Sequence, residues 1–105
     1  IKAEPGGIKA KILVLHGADD TFIPAEAIAA FKQEMADAKA DMTFVAYPGA
    51  SHSFTNPDAD SYGKPDYARY DAKARWRSWA EMLGLFDEVF AGAGVARMVR
   101  SATAD

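Results

Sequence analysis

Lys11-Ile12-Leu13-Val14-Leu15-His16-Gly17-Ala18-Asp19-Asp20 decides the fold. Its first six residues are a short apolar run with β-branched members, ended by Gly17. Such a run suits a strand covered on both faces, as in a parallel sheet. Pro24 comes next, where its fixed φ and missing N–H fit a first helical turn. Ile28, Phe31 and Met35 then recur at helical spacing among alanines, which predicts an amphipathic helix over 25–38. Asp41 to Tyr47 is a second strand, closed by Pro48-Gly49. Residues 48–66 hold three prolines and two glycines and read as a long loop, a length that inside a compact domain is usually functional. Ala72, Trp76, Trp79, Leu83, Phe86 and Phe90 step by three and four, which predicts one apolar, core-facing stripe on a long helix over 67–90.

Strand, helix, strand, loop and long helix make one βαβ unit with a closing helix. The predicted class is α/β: two parallel strands, a connecting helix and a long C-terminal helix in an incomplete sheet. Two parallel strands bury little and both are edges, so neighbours are expected. They come either from an N-terminal half of the same polypeptide or from another copy of the chain, pairing through the open strands. Residues 1–10, with Glu4-Pro5-Gly6-Gly7, read as a linker, and 92–105 as a tail that is frayed or forms a short helix.

At 105 residues the chain has the length of one domain. It is 50% hydrophobic and 26% charged, the balance of a folded protein. A net charge of −3 argues against a general nucleic-acid binder, which needs a basic surface to release counterions. The charges are mixed along the chain, with no polybasic segment for a membrane surface and no run near the about 18 apolar residues of a span. There is no cysteine, which excludes disulfides, thiolate zinc sites and a cysteine nucleophile within these residues. Compartment is left open by the sequence.

Asp20 follows the end of the first strand, and His52, in Gly49-Ala50-Ser51-His52-Ser53-Phe54, follows the end of the second. In a parallel sheet the carboxyl ends of the strands share one rim, where sites form. A carboxylate against one imidazole nitrogen fixes the tautomer and stabilises the imidazolium formed when the other nitrogen takes a proton. That is two-thirds of a hydrolytic triad. The third member is a nucleophile on a sharp Gly-x-Ser-x-Gly or Gly-x-Cys-x-Gly elbow, and no such elbow occurs here. The chain therefore reads as the back half of an enzyme.

Leu15-His16-Gly17-Ala18-Asp19-Asp20-Thr21-Phe22-Ile23-Pro24, followed by Tyr47-Pro48-Gly49-Ala50-Ser51-His52-Ser53-Phe54, resembles the C-terminal part of dienelactone hydrolase-family proteins of the α/β-hydrolase fold. The resemblance covers about residues 8–90. It implies a cofactor-free carboxylic ester or lactone hydrolase with Asp20 as triad acid and His52 as triad histidine. The nucleophile and oxyanion-hole amides would lie upstream of Ile1, and this chain alone would be inactive. Phe22, Phe54 and Asn56 are then the residues expected to touch a small-molecule substrate. Members acting on dienelactones carry an arginine four positions after the histidine; here that position is Asn56, which donates hydrogen bonds but brings no charge.

Other assignments compete with these. Asp20 alone suits a loop carboxylate capping the helix at Pro24, Asp19 a turn or surface residue, and His16 a packed histidine at a strand end. A metal set of His16, Asp19, Asp20 and His52 has suitable ligand types, but no His-x-x-x-His or paired-carboxylate helix supports it. Ser51 and Ser53 flank His52 without the elbow's glycines. Tyr62, Tyr67 and Tyr70 border the long loop, as pocket lining or as packing residues. The acid-then-histidine order also fits a prolyl oligopeptidase-type serine peptidase fragment, and a non-catalytic self-associating module is the remaining alternative.

Overall fold

The computed structural model describes residues 2–90; the tail expected over 92–105 lies outside them. Strand β1 spans Lys11–Gly17, helix α1 Ala25–Asp37, strand β2 Asp41–Tyr47 and helix α2 Ala72–Phe90, with a short 3-10 turn at Ala59–Tyr62. The class is α/β. The strands pair in parallel, in register from Lys11 opposite Asp41 to Gly17 opposite Tyr47. Parallel pairing demands a crossover connection, which α1 supplies.

Alternation along the strands sends side chains to two faces. Val14, His16 and Phe44 face Ile23, Ala27, Ile28 and Phe31 on the α1 side. Leu13 and Thr43 face Ala80, Gly84 and Leu85 of α2. The core sits on the α2 side, where Tyr47, Ala50, Phe54 and Ala74 cluster with Leu15 and Val45. The Tyr47 and Phe54 rings stand 5.7 Å apart. Lys11 ties the amino end of the sheet to α2 through Asp41 at 3.0 Å and Glu88 at 2.9 Å.

Two expectations need correction. Helix α2 starts at Ala72 rather than near 67. The preceding residues are drawn to the histidine loop instead: Ala68 forms a β-bridge with His52, and the Arg69 N–H donates to Ser51 Oγ at 3.0 Å. Asp71 then opens the helix, its Oδ1 accepting the Ala74 N–H at 3.0 Å in an N-cap. The aromatic stripe of α2, expected to be core, is largely exposed within the described residues. Leu83 is buried at 3% exposure, but Trp76 and Trp79 are 59% and 46% exposed and Phe86 and Phe90 also face outward. Two strands about 5 Å apart make a strip too narrow to cover that face of a helix.

Candidate active site

Both site loops leave the carboxyl rim of the sheet, and backbone contacts weld their roots together. The Ala18 N–H donates to the Tyr47 carbonyl at 3.0 Å and the Asp19 N–H to the Ala50 carbonyl at 2.8 Å. Gly17 makes this approach possible: a Cβ there would stand 2.5 Å from the Ser51 carbonyl oxygen and 2.7 Å from that of Ala50. Only a residue without a side chain lets the first loop lie this close to the second.

Asp20 and His52 meet above that weld. Asp20 Oδ2 is 3.0 Å from His52 Nδ1. Its other oxygen, Oδ1, accepts the Phe22 N–H at 2.8 Å in an Asx-type turn that fixes the carboxylate. The Asp20 side chain is 6% exposed and that of His52 42%. An ionised carboxylate only accepts hydrogen bonds, so Nδ1 carries the proton and Nε2 of the neutral ring has its lone pair available. The imidazole is held from behind and open in front.

The histidine backbone is held from a third direction. The His52 N–H donates to the Tyr67 carbonyl at 3.1 Å, and Ser53 after it takes a left-handed φ of 60°, a conformation that non-glycine residues rarely adopt. The Phe22 ring lies 4.4 Å from the imidazole and 4.8 Å from the Tyr67 ring. These make an aromatic flank along one side of His52.

Of the other expected site residues, Phe22 stands beside His52, and Phe54 and Asn56 do not. Phe54 is buried against Tyr47. Asn56 staples its own loop, donating to Tyr62 Oη at 3.0 Å and accepting the Asp58 N–H at 3.0 Å. His16 packs near Phe44 on the α1 side at 5.7 Å. Asp19 is exposed and pairs with Arg69 at 3.6 Å. No group of three His, Cys, Asp or Glu residues able to hold a metal occurs among the described residues. Ser51 is fully buried, its oxygen taken by the Arg69 N–H. Arg69 was the contributor least visible in the sequence, while Tyr67 stood out only as a tyrosine bordering the long loop. No local signal in Asp66-Tyr67-Ala68-Arg69-Tyr70-Asp71 separates it from a helix, since alanine and arginine both favour one.

A parallel α/β sheet with a carboxylate–imidazole pair at its carboxyl rim defines a class in which relatives can be sought. The family model for the dienelactone hydrolase family matches residues 2–90, and the chain belongs to that family. Among curated proteins it is similar to K02A2.1 of Caenorhabditis elegans, 36% identical over 80 residues, covering 76% of this chain and 50% of that protein. A Yersinia pestis protein named "Putative carboxymethylenebutenolidase" is 35% identical over 80 residues, covering 75% of this chain and 27% of that one. Among solved structures, the dienelactone hydrolase-like promiscuous phosphotriesterase P91 from metagenomic libraries superposes with a TM-score of 0.74 at 42% identity, covering 79% of this chain and 34% of that one. The chain thus spans half or less of the length of these relatives.

Proposed function

We infer that Asp20 and His52 are the acid and histidine of a hydrolytic triad in a carboxylic ester or lactone hydrolase of the dienelactone hydrolase type. The observation that carries this is the 3.0 Å contact between Asp20 Oδ2 and His52 Nδ1, with the imidazole half open on its other side. Membership of the family supports the reaction type.

In this mechanism a serine or cysteine supplied by the remainder of a longer parent protein attacks the substrate carbonyl. His52 Nε2 takes the nucleophile's proton, and Asp20 stabilises the resulting imidazolium. Collapse of the tetrahedral intermediate breaks the bond to the alkoxide, which leaves with the proton from Nε2. Water then attacks the acyl-enzyme, giving its proton to Nε2, and the returning proton frees the nucleophile and the carboxylic acid product. Phe22 flanks the substrate beside the imidazole, while Phe54 and Asn56 shape the loop that carries it. The 105-residue chain by itself has no cysteine and no elbow serine, and is inactive on this account.

Hydrolysis of p-nitrophenyl acetate by the parent and by the 105-residue chain tests the assignment. Parent activity should fall by about 10⁶ in kcat on His52→Ala, and the short chain should stay at background. A parent His52→Ala variant with undiminished turnover contradicts it.

A further inference from the structure

Arg69 lies outside the acid–histidine pair yet touches both loops that carry it. Its Nη2 donates to the Gly49 carbonyl and stands 3.6 Å from Asp19 Oδ2. Its Nη1 donates to the Pro65 carbonyl at 2.9 Å. Its backbone N–H donates to the fully buried Ser51 Oγ at 3.0 Å. Asp19 immediately precedes Asp20, and Gly49 to Ser51 lead directly into His52. One cation therefore straddles the acid loop, the histidine loop and the 64–71 strap whose Tyr67 carbonyl holds the His52 N–H.

We propose that Arg69 is a positioning residue that clamps these three segments and so keeps the Asp20 carboxylate aligned with His52 Nδ1. The proposal rests on the role inferred above for that pair. The backbone bonds from Ala18 and Asp19 fix the roots of the loops. They do not reach the strap, and the strap is what holds the histidine's own backbone. The Tyr67 carbonyl and the Arg69 N–H already join the strap to the histidine loop, and the Arg69 guanidinium adds the link from the strap to Gly49 and to Asp19 of the acid loop. Arginine suits the task because its planar fork presents several N–H donors in fixed directions, here toward two carbonyls and a carboxylate at once. A lysine ammonium would keep the attraction to Asp19 and lose the span.

Ring-nitrogen NMR of His52 in the 105-residue chain, at a pH where the imidazole is neutral, tests this without any turnover. In the wild type the spectrum should show the ring proton on Nδ1, facing Asp20 Oδ2; Asp20→Ala removes the acceptor and marks the uncoupled limit. Arg69→Met should move both ring nitrogens at least half of the way to that limit. Arg69→Lys should move them in the same direction by less. Arg75→Met, which removes a bond to Tyr70 Oη at 3.3 Å, should leave them in place. A role confined to general stability would lower the urea midpoint without moving the ring nitrogens. If Arg69→Met does not fold, Arg69→Lys and Asp19→Asn carry the comparison. A folded Arg69 variant whose His52 signals coincide with wild type, or an Arg75→Met chain that shifts as far as Arg69→Met, overturns the clamp and leaves the pair standing. Nitrogens that stay put even in Asp20→Ala would remove the pair itself.

Discussion

Gly17 and Tyr47 sit opposite each other at the carboxyl end of the two strands and impose opposite demands. Gly17 must remain bare, because a methyl group there would collide with two backbone carbonyls that cannot rotate away. Gly17→Ala should therefore cost about 1–3 kcal/mol, the range for overpacking a close contact, read as a lower urea midpoint. Tyr47 carries a hydroxyl with no partner among the described residues, in the core beneath α2. Burial, and to a lesser degree the negative charge of Glu81, raises its phenol above the ordinary 10.0. A phenol raised on folding contributes stability that is complete below the unfolded value and is lost as pH rises through the folded one. Tyr47→Phe should thus be neutral or stabilising by up to about 1 kcal/mol at pH 7, since it removes an unpaired buried group. It should also flatten the alkaline limb above about pH 10. Chemical denaturation at both pH values checks both statements; a Tyr47→Phe chain that loses stability at neutral pH would mean the hydroxyl is paired.

At the level of elements, hydrophobic period gave the strands and α1 almost to the residue. It failed at the start of α2. Tyr67 to Tyr70 have a pattern that a helix can accept, but the Tyr67 carbonyl and the Arg69 N–H are bonded to the histidine loop and the Tyr70 N–H to Asp60 Oδ1, and Asp71 caps the helix behind them. Local propensity does not encode that long-range bond. Asp71→Ala should lower stability by about 1 kcal/mol, as loss of an N-cap does, with helical content falling first at the amino end of α2. Backbone amide exchange over 72–75 reads this directly; unchanged protection there would show that the cap contributes nothing. The α2 stripe was legible as apolar but not as exposed, because side-chain spacing tells which residues share a face and says nothing of how wide the opposing sheet is.

For the whole molecule, the sequence made the juxtaposition of Asp20 and His52 legible because parallel strands with a single crossover must end on the same rim. It did not reveal the supporting shell. Nothing about Gly17 in isolation says that Ser51 will lie against it, and nothing about Arg69 says that it will span Asp19, Gly49 and Pro65. Those contacts depend on how the 48–71 segment folds back over the rim, a three-dimensional fact that periodicity cannot express. Phe54 shows the converse: extended alternation would set it on the same side as His52 two residues before it, but the left-handed φ at Ser53 breaks that alternation and the ring packs against Tyr47.

The central claim is that a carboxylate and an imidazole at the ends of two welded loops act as one chemical unit. A double-mutant cycle on kcat for p-nitrophenyl acetate hydrolysis by the parent, using Asp20→Asn, His52→Ala and the double variant, tests it most directly. Residues that act as a unit are grossly non-additive. The double variant should therefore be no slower than His52→Ala alone, within about threefold. Losses that multiply, with the double variant slower by the product of the two single effects, would contradict the account.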